Sequence, residues 1–317
     1  MNNKKFNILI NEIKNLDTRQ FRLLGEEVNS RVKMKKIANI LETPKNEICC
    51  AHCKSSEIIR WGKRNDLQRY KCKNCNKTFN SLSKTPLARL RRKGHWLEYA
   101  NCLKNGLTVR KAAVYCGIHR NTSFRWRHRF VNNLKFIKAK ELSGIIESGE
   151  VKFKESFKGS KLLNSALKNK RKDVFVLYNI DRNRNVVDIT NKGFNKSLIE
   201  NIVRNHVAKK SLIISEDDEI YRNIKLNSEL KHFIIKSNFN TNDYITVKNI
   251  KDFREKFKEW VNNHFRGVAT KYLENYVSWY RSLKEFRSGI NSLTLLYRAK
   301  QVEKYRHQPQ KVTAHVL

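Results

Sequence analysis

The sequence predicts a multidomain α+β protein of 317 residues, and three observations predict it. Two Cys-x-x-Cys pairs lie early in the chain, at 50–53 and 72–75. A basic stretch with helical periodicity and a glycine-containing turn follows at 97–136. From about residue 142, apolar stretches with strand character alternate with helical ones. A chain of this length has room for two or three domains.

The cysteine pairs predict a zinc ribbon in which Cys50, Cys53, Cys72 and Cys75 bind structural Zn²⁺. The pairs are separated by 18 residues, so a small hairpin can fold back and bring four thiolates around one ion. A module this short buries too little apolar surface to fold alone, so the metal would supply its folding energy. The alternative is a chance pairing within a loop. Cys49 could compete for the metal, but Cys50 gives the two-residue gap.

The charge of the chain predicts a nucleic-acid partner. Lys and Arg number 67 against 29 Asp and Glu, which gives a net charge of +38. Such a chain repels itself unless a polyanion is near, and nucleic acid is the usual one. An anionic membrane surface is the rival partner, but no basic amphipathic helix stands out as an anchor. We therefore expect a soluble protein, and we expect neither a membrane span nor a disulfide framework, because apolar runs are short and nothing resembles a signal peptide.

A helix-turn-helix is predicted around Cys116-Gly117-Ile118. Small residues before this turn let the first helix pack closely, and Gly117 permits a sharp change of direction. The second helix is expected to begin near Arg120. Phe124 and Trp126 are two residues apart and cannot share one helical face. One of the two rings is therefore expected in the core, and the other near a bound duplex.

The second helix predicts contacts with double-stranded DNA. Between Asp66 and Glu141 the only carboxylate is Glu98, whereas a merely solvated face usually carries both signs. Residues near the N-terminus of the helix would read base edges in the major groove, and arginines beside them would hold phosphates. The predicted DNA-binding residues are Arg120, Asn121, Thr122, Arg125, Arg127, His128 and Arg129.

The second half of the chain predicts an α/β domain of RNase-H type, because strands are followed by helices and an acidic cluster at 216–219 ends a central strand. Strands are expected within 143–156, 172–190, 211–221 and 232–237, and helices within 194–207 and 245–285. The predicted domains are an N-terminal helical segment (1–46), the zinc ribbon (47–85), the helix-turn-helix (86–138), the RNase-H-like domain (139–290) and a tail (291–317).

The chain resembles bacterial insertion-sequence transposases of the DDE type, in the group that carries a zinc ribbon and a helix-turn-helix before an RNase-H-like catalytic domain. The matching segments are RWGKRNDLQRYKCKNCNKTFNSLSKTPLARLRRK, NTSFRWRHRF, ESFKGSK and HFRGVATKYLENYVSWYRSL, in family order. The resemblance implies DNA transposition on double-stranded element ends, self-association on that DNA, and a cytoplasmic, nucleoid-associated protein. It also implies acidic residues that hold Mg²⁺ or Mn²⁺ for in-line attack on a phosphodiester.

The chain departs from the family at the positions of these acids. The first Asp is replaced by Gly149, the second corresponds to Glu216, and the third, seven residues before Lys258, is Lys251. These changes predict an impaired site that binds Mg²⁺ or Mn²⁺ only if enough ligands survive. Glu147 would share a strand face with Gly149 and could reach a metal. The candidate catalytic residues are Glu216, Asp217, Glu147 and Lys258.

Several functions remain open at this point. The acidic run at 216–219 fits a solvated strand end as well as a residual metal site. The favoured interpretation is a DNA-binding, transposase-family protein of an insertion sequence whose catalytic acids are largely lost. The alternatives are a non-catalytic DNA-binding regulator derived from a transposase, an active transposase with altered metal ligands, and a relic without a present role.

Overall fold

The computed structural model describes residues 2–42, 48–136, 139, 141–159, 171–183, 185–191, 195–222, 224, 229–236, 245–284 and 290–301. These residues form a small cysteine-rich sheet, a group of packed helices, and a five-stranded sheet with helices on both faces. The predicted combination of a helical unit with a mixed α/β unit is therefore confirmed.

Two helices open the chain, α1 (Asn3–Lys14) and α2 (Thr18–Leu41). Asp17 caps α2, because its carboxylate accepts a hydrogen bond from the Gln20 backbone N–H at 2.7 Å and the Gln20 side chain accepts one from the Asp17 N–H at 3.1 Å. Helix α1 buries none of its side chains, whereas the last turns of α2 pack into the helical core. The N-terminal helices are thus attached through the end of α2.

The cysteine-rich segment forms a three-stranded antiparallel sheet. Its strands, in spatial order, are β1 (Ile58–Arg64), β2 (Leu67–Cys72) and β3 (Thr78–Phe79). Asn65 and Asp66 connect β1 to β2 with φ angles of 50° and 60°, as a two-residue hairpin turn requires. Leu67 is buried in the helical core, so the hairpin is anchored at its turn end.

Three helices follow and include the predicted helix-turn-helix. They are α3 (Trp96–Lys104), α4 (Val109–Tyr115) and α5 (Arg120–Val131). Gly117 has a φ of +59° in the turn between α4 and α5, and α5 begins at Arg120 as predicted. Trp126 is 2% exposed and lies edge-on to Trp96, so it is the ring that enters the core. Phe124 stays 46% exposed.

The second half of the chain is built on a five-stranded mixed sheet. Its strands are β4 (Ile145–Lys154), β5 (Asp173–Asp181), β6 (Val186–Asn191), β7 (Leu212–Glu216) and β8 (Lys231–Ile235). The spatial order is β6-β5-β4-β7-β8. The pairs β6–β5 and β5–β4 are antiparallel, and the pairs β4–β7 and β7–β8 are parallel. All five lie within the stretches predicted as strands, apart from the ends of β6 and β8.

Helices cover both faces of this sheet. They are α6 (Lys196–His206), α7 (Glu219–Arg222), α8 (Lys248–Glu259) and α9 (Thr270–Lys284), with a single π-helical turn at Trp260–His264. Helix α6 packs on one face against apolar residues of β4, β5 and β7. Helices α8 and α9 pack on the other face against apolar residues of β4, β5 and β6. Helices therefore cover β4 on both faces of the sheet.

The prediction of a tail at 291–317 is wrong for its first part, because α10 (Ser292–Lys300) is a packed helix. Leu295, Leu296 and Ala299 are fully buried against the helical unit. Asn133 donates from its side chain to the backbone carbonyl of Gln301 at 2.6 Å and so holds the end of α10 beside α5. Residues 302–317 lie outside the described residues.

The predicted domain limits at 138 and 290 separate residues that share one core. Tyr276 and Trp279 of α9 and the buried face of α10 join α2, α3, α4 and α5 in a single apolar cluster. The helical core is thus formed by segments on both sides of the five-stranded sheet in the sequence: α2 to α5 before it, and α9 and α10 after it. Within the described ranges, no helix has the length and apolar composition needed to cross a membrane.

We expect Leu295→Ala to lower the free energy of unfolding by about 2–4 kcal/mol, because the change leaves a cavity in the shared core. The matched control is Leu293→Ala on the same helix, where the side chain is 42% exposed, and its effect should be much smaller. Urea unfolding of both variants measures the difference. Equal effects would mean that α10 is not packed as described.

Candidate functional site

The four cysteines predicted to bind zinc lie together. Their Sγ atoms are all within 4.8 Å of one another, and within the described part of the chain no other group of three or more Cys, His, Asp or Glu is that close. Cys50 Sγ lies 3.6 Å from Cys75 Sγ, and Cys53 Sγ lies 3.5 Å from Cys72 Sγ. Each pair is formed by a tight turn with a left-handed residue directly after its second cysteine.

Backbone amides in these turns favour the thiolate form. Burial raises the pKa of Cys50, but hydrogen bonds from the backbone of Cys53 and His52 and from the Cys75 thiol outweigh burial and lower this pKa to about 6. The His52 N–H donates to Cys50 Sγ at 3.3 Å. At Cys72, the Cys75 backbone N–H is the main cause of a lowered pKa. Thiolates are the form that binds metal, so the arrangement fits a four-sulfur site.

Helix α5 presents a basic face to solvent. Arg120, Asn121, Arg125 and Arg129 are exposed, and Thr122 is half-buried. Glu98, the one carboxylate near this part of the sequence, pairs elsewhere: its Oε1 lies 2.6 Å from Lys33 Nζ and its Oε2 lies 3.2 Å from His95 Nδ1. The arrangement could hold DNA phosphates along one side of α5.

The prediction of a DNA contact fails for Arg127, which is fully buried. Its guanidinium donates to the backbone carbonyl of Leu107. The guanidinium carbon also lies 5.3 Å from the ring centre of Phe265 and 5.1 Å from that of Trp279. Arg127 therefore fixes α5 to the turn before α9 and to α9 itself. A positive charge in a basic helix was not enough to place it on the surface.

His128 is also directed towards α9 and packs there. Its ring stacks on Tyr272 of α9 with centres 3.7 Å apart, and Phe124 lies edge-on to both rings. Burial, together with the charges of Arg127 and Lys271, lowers the pKa of His128 to about 4. The neutral ring thus forms part of the contact between α5 and α9.

Glu147, the candidate replacement ligand, caps a helix. It is 1% exposed, and its Oε2 accepts a hydrogen bond from the Ile250 backbone N–H at 3.0 Å. Its Oε1 accepts from the Asn249 side chain at 2.6 Å and lies 3.2 Å from the Arg182 guanidinium. The first turn of α8 lacks a cap from its own N-cap residue, Val247, so Glu147 satisfies that end of the helix. Burial raises the pKa of Glu147 despite these partners.

Gly149 lies where α8 meets β4. A Cβ atom at this position would overlap Ile250 Cγ2 and would lie 3.6 Å from the Arg254 guanidinium. Because β4 and β7 pair in parallel through Ser148 and Ser215, Gly149 and Glu216 come next on adjacent strands. The first two family positions are therefore neighbours, but α8 fills the space that a side chain at 149 would need.

Glu216 is held by cations of α8. Its Oε2 forms an ion pair with the Arg254 guanidinium, and its Oε1 lies 3.7 Å from Lys251 Nζ. Asp217 pairs with Arg222, whose Nε lies 2.6 Å from Asp217 Oδ1. A cleft of about 750 Å³ opens beside these groups. Two positive side chains thus stand next to the carboxylate that the family pattern assigns to a metal.

Lys258 lies two turns further along α8 and is half-buried. The structure brings Glu216, Gly149 and Lys251 together, and it places Asp217 at the edge of the cleft. The sequence interpretation missed Ile250, Arg254 and Arg182. The only sequence signal for Arg254 is its spacing of three residues from Lys251, which puts both side chains on one side of a helix.

Two family models match this chain. Residues 141–281 match the ISXO2-like transposase domain, and residues 87–135 match a homeodomain-like domain. Residues 141–281 are thus a transposase domain of the insertion-sequence type. The first match covers the five-stranded sheet, and the second covers α3 to α5.

A relative of this chain is an uncharacterized protein in transposable element ISH50 of Halobacterium salinarum. It is 25% identical over 136 residues, which are 42% of this chain and 46% of that protein. The match thus spans about half the length of the relative. Among solved structures, one similar chain belongs to a simian T-cell lymphotropic virus intasome in complex with PP2A regulatory subunit B56 gamma. It shares 11% identity, covers 55% of this chain and 58% of that chain, and has a TM-score of 0.29, too low to carry any argument.

We expect Gly149→Asp to lower the free energy of unfolding by about 1–3 kcal/mol, because the new side chain must displace Ile250 from β4. The matched control is Gly25→Asp in α2, where a Cβ would meet no atom within 4 Å. Urea unfolding compares the two variants. If Gly149→Asp proved as stable as Gly25→Asp, the packing of α8 on β4 would be wrong.

The α5–α9 contact should weaken in acid. The pKa of His128 is about 4 in the folded chain and near 6.5 when unfolded, so the unfolded state binds more protons between these values. Stability is therefore lost as pH falls from about 6.5 towards 4. His128→Phe cannot titrate, and the stability of wild type relative to this variant should decline over that window. A difference that stays constant with pH would contradict the buried neutral ring.

Proposed function

We propose that this chain binds double-stranded DNA at insertion-sequence ends and does not catalyse two-metal strand transfer. The observation that carries the proposal is the contact of α8 with β4, which leaves no room for a ligand at Gly149 and pairs Glu216 with cations. Such a protein would act as a non-catalytic DNA-binding regulator derived from a transposase. An exposed basic face on α5 and family membership support the DNA-binding part.

The four cysteines would hold structural Zn²⁺ and make the segment a zinc ribbon. Four thiolates at this separation fit the tetrahedral coordination of zinc after small adjustments of the sulfurs. The surrounding sheet has a small apolar cluster, centred on Cys50, Cys72 and Phe79, so metal binding would contribute much of its stability. The ion would order the ribbon and take no part in chemistry.

Mg²⁺ or Mn²⁺, which the family implies, does not fit the residues at the family positions. Hard divalent cations need several oxygen ligands close together. Gly149 offers none, and Lys251 is a cation where a ligand belongs. Glu147 is already bound by Asn249 and Ile250 of α8 and by Arg182. The residues at the family positions therefore do not form a site for a divalent metal.

The remaining parts of the proposal rest on sheet order and family membership. The order β6-β5-β4-β7-β8, with three antiparallel strands first and two parallel strands after them, supports an RNase-H-like assignment for the second half. Family membership alone supports self-association on paired ends and a place at the bacterial nucleoid.

Cleavage and strand transfer on DNA that carries candidate terminal repeats test the proposal, with Mg²⁺ or Mn²⁺ present and binding measured in the same samples. We expect binding without cleavage. Metal-dependent cleavage that is lost in Glu216→Gln or Glu147→Gln would overturn it, because the acids would then form a rebuilt site. Absence of binding to every such duplex would overturn the DNA-binding part.

Arg125→Ala should weaken duplex binding and reduce the slope of affinity against salt concentration by about one, because one phosphate contact is lost. Arg19→Ala removes an exposed arginine from α2 and serves as the matched control, with little change expected. Fluorescence anisotropy over a series of salt concentrations measures both. An unchanged slope in Arg125→Ala would argue against α5 as the DNA-binding face.

Cys72→Ser should abolish stoichiometric zinc binding and unfold the ribbon, because three thiolates hold the ion poorly and the apolar cluster is small. Duplex binding is expected to weaken with it. Cys49→Ser is the matched control and should keep one zinc per chain, since Cys49 is outside the cluster. Metal analysis of both purified variants is the measurement. Zinc retained by Cys72→Ser would show that Cys72 is not a ligand. Zinc lost by Cys49→Ser would show that Cys49 is one.

A further inference from the structure

The β1–β2 hairpin carries an exposed tryptophan. All five tryptophans of the chain are among the described residues, and four of them are buried or packed against a core. Trp61 is 46% exposed. Strand β1 has no buried residue from Ile59 onwards, so both of its faces are open around this ring. Tryptophan is enriched at contact sites, where its ring supplies a large apolar surface.

Local structure holds Trp61 in place. The pairing of β1 with β2 shifts between Arg60 and Lys63, and this bulge leaves Trp61 and Gly62 outside the regular ladder. The Gln68 side chain donates to the backbone carbonyl of Gly62 at 2.9 Å and so fixes the bulge. Bulges of this kind re-aim a side chain. The indole is therefore positioned before any ligand arrives.

The surroundings of Trp61 are strongly basic. Lys71 Nζ lies 4.9 Å from the centre of the indole ring. Residues 58–73 contain six lysines and arginines, and between residues 48 and 92 the only carboxylates are Glu57 and Asp66. The basic residues are Arg60, Lys63, Arg64, Arg69, Lys71 and Lys73. The hairpin thus combines a half-exposed aromatic ring with a cluster of cations.

We propose that this hairpin binds single-stranded DNA, with an unpaired base stacked on Trp61 and the cations around it on neighbouring phosphates. Both features are matched by a nucleotide, which offers a flat ring and a negative charge within one repeating unit. A duplex presents only base edges and phosphates, since its ring faces are already stacked. The inference rests on the proposed function only in taking DNA as the polymer, and it involves none of the α5 residues.

Tryptophan fluorescence gives a direct test on the zinc-loaded full chain. Because the other indoles are packed in the protein, acrylamide quenching reports mainly on Trp61. A short oligothymidylate should quench the emission and protect Trp61 from acrylamide. An abasic strand of the same length carries the same phosphates without bases and should bind on the order of tenfold more weakly.

Variants separate stacking from charge. Trp61→Ala should lose about tenfold in affinity for oligothymidylate, the size of one stacked base, whereas Trp61→Phe keeps a ring and should lose much less. Phe21→Ala removes an aromatic that is 59% exposed on α2 and should change nothing. Zinc content and thermal unfolding of Trp61→Ala should match wild type, because the ring supports no core.

Several results would overturn the proposal. Equal affinity for the abasic strand, or for oligothymidylate in Trp61→Ala, would reduce the site to unspecific charge attraction. Protection of Trp61 by an acidic peptide but not by oligothymidylate would assign the hairpin to a protein partner. Arg125→Ala should weaken duplex binding alone and Trp61→Ala single-strand binding alone, so failure of one proposal is distinguishable from failure of the other.

Discussion

Helix α8 lies directly on β4, and the arrangement of all three family positions depends on this contact. The absence of a side chain at Gly149 lets Ile250 reach the strand. The same approach brings the Ile250 backbone N–H to Glu147 and the Arg254 guanidinium to Glu216. A carboxylate at 149 would displace Ile250 and move both of these partners. The glycine at 149 and the position of α8 are therefore physically linked.

The carboxylates on this side of the sheet are compensated by the chain itself. In a two-metal site the positive charge between the acids comes from bound cations. Here Lys251 and Arg254 stand beside Glu216, and Arg182 stands beside Glu147. A buried carboxylate without a counter-charge would be costly, and these basic residues offset part of that cost. The region can thus stay folded without a divalent ion.

Sequence patterns predicted local structure and missed contacts between distant segments. The cysteine spacing, the start of α5 and the five strands depend on neighbours in the chain, and periodicity or turn residues reveal them. The burial of Arg127 depends on Phe265 and Trp279, more than 130 residues later. Cys102 and Cys116 show no pairing pattern, yet their Sγ atoms lie 3.7 Å apart, because α3 packs against the turn after α4. The tail prediction is wrong for α10 because its packing partners include α2 and α3, far away in the sequence.

The support of the DNA-binding helix is separate from the altered acid positions. Besides Arg127 and His128, the Trp279 indole N–H donates to the Leu103 carbonyl at 3.2 Å, and His264 Nε2 lies 2.7 Å from the Gly106 carbonyl oxygen. These contacts come from α9 and the π-helical turn before it, whereas the acid positions lie on β4, β7 and α8. Substitutions at the acids therefore leave the contacts that orient α5 in place. Changes at the acid positions and an unchanged α5 surface are physically compatible in this fold, because different parts of the second half contact each.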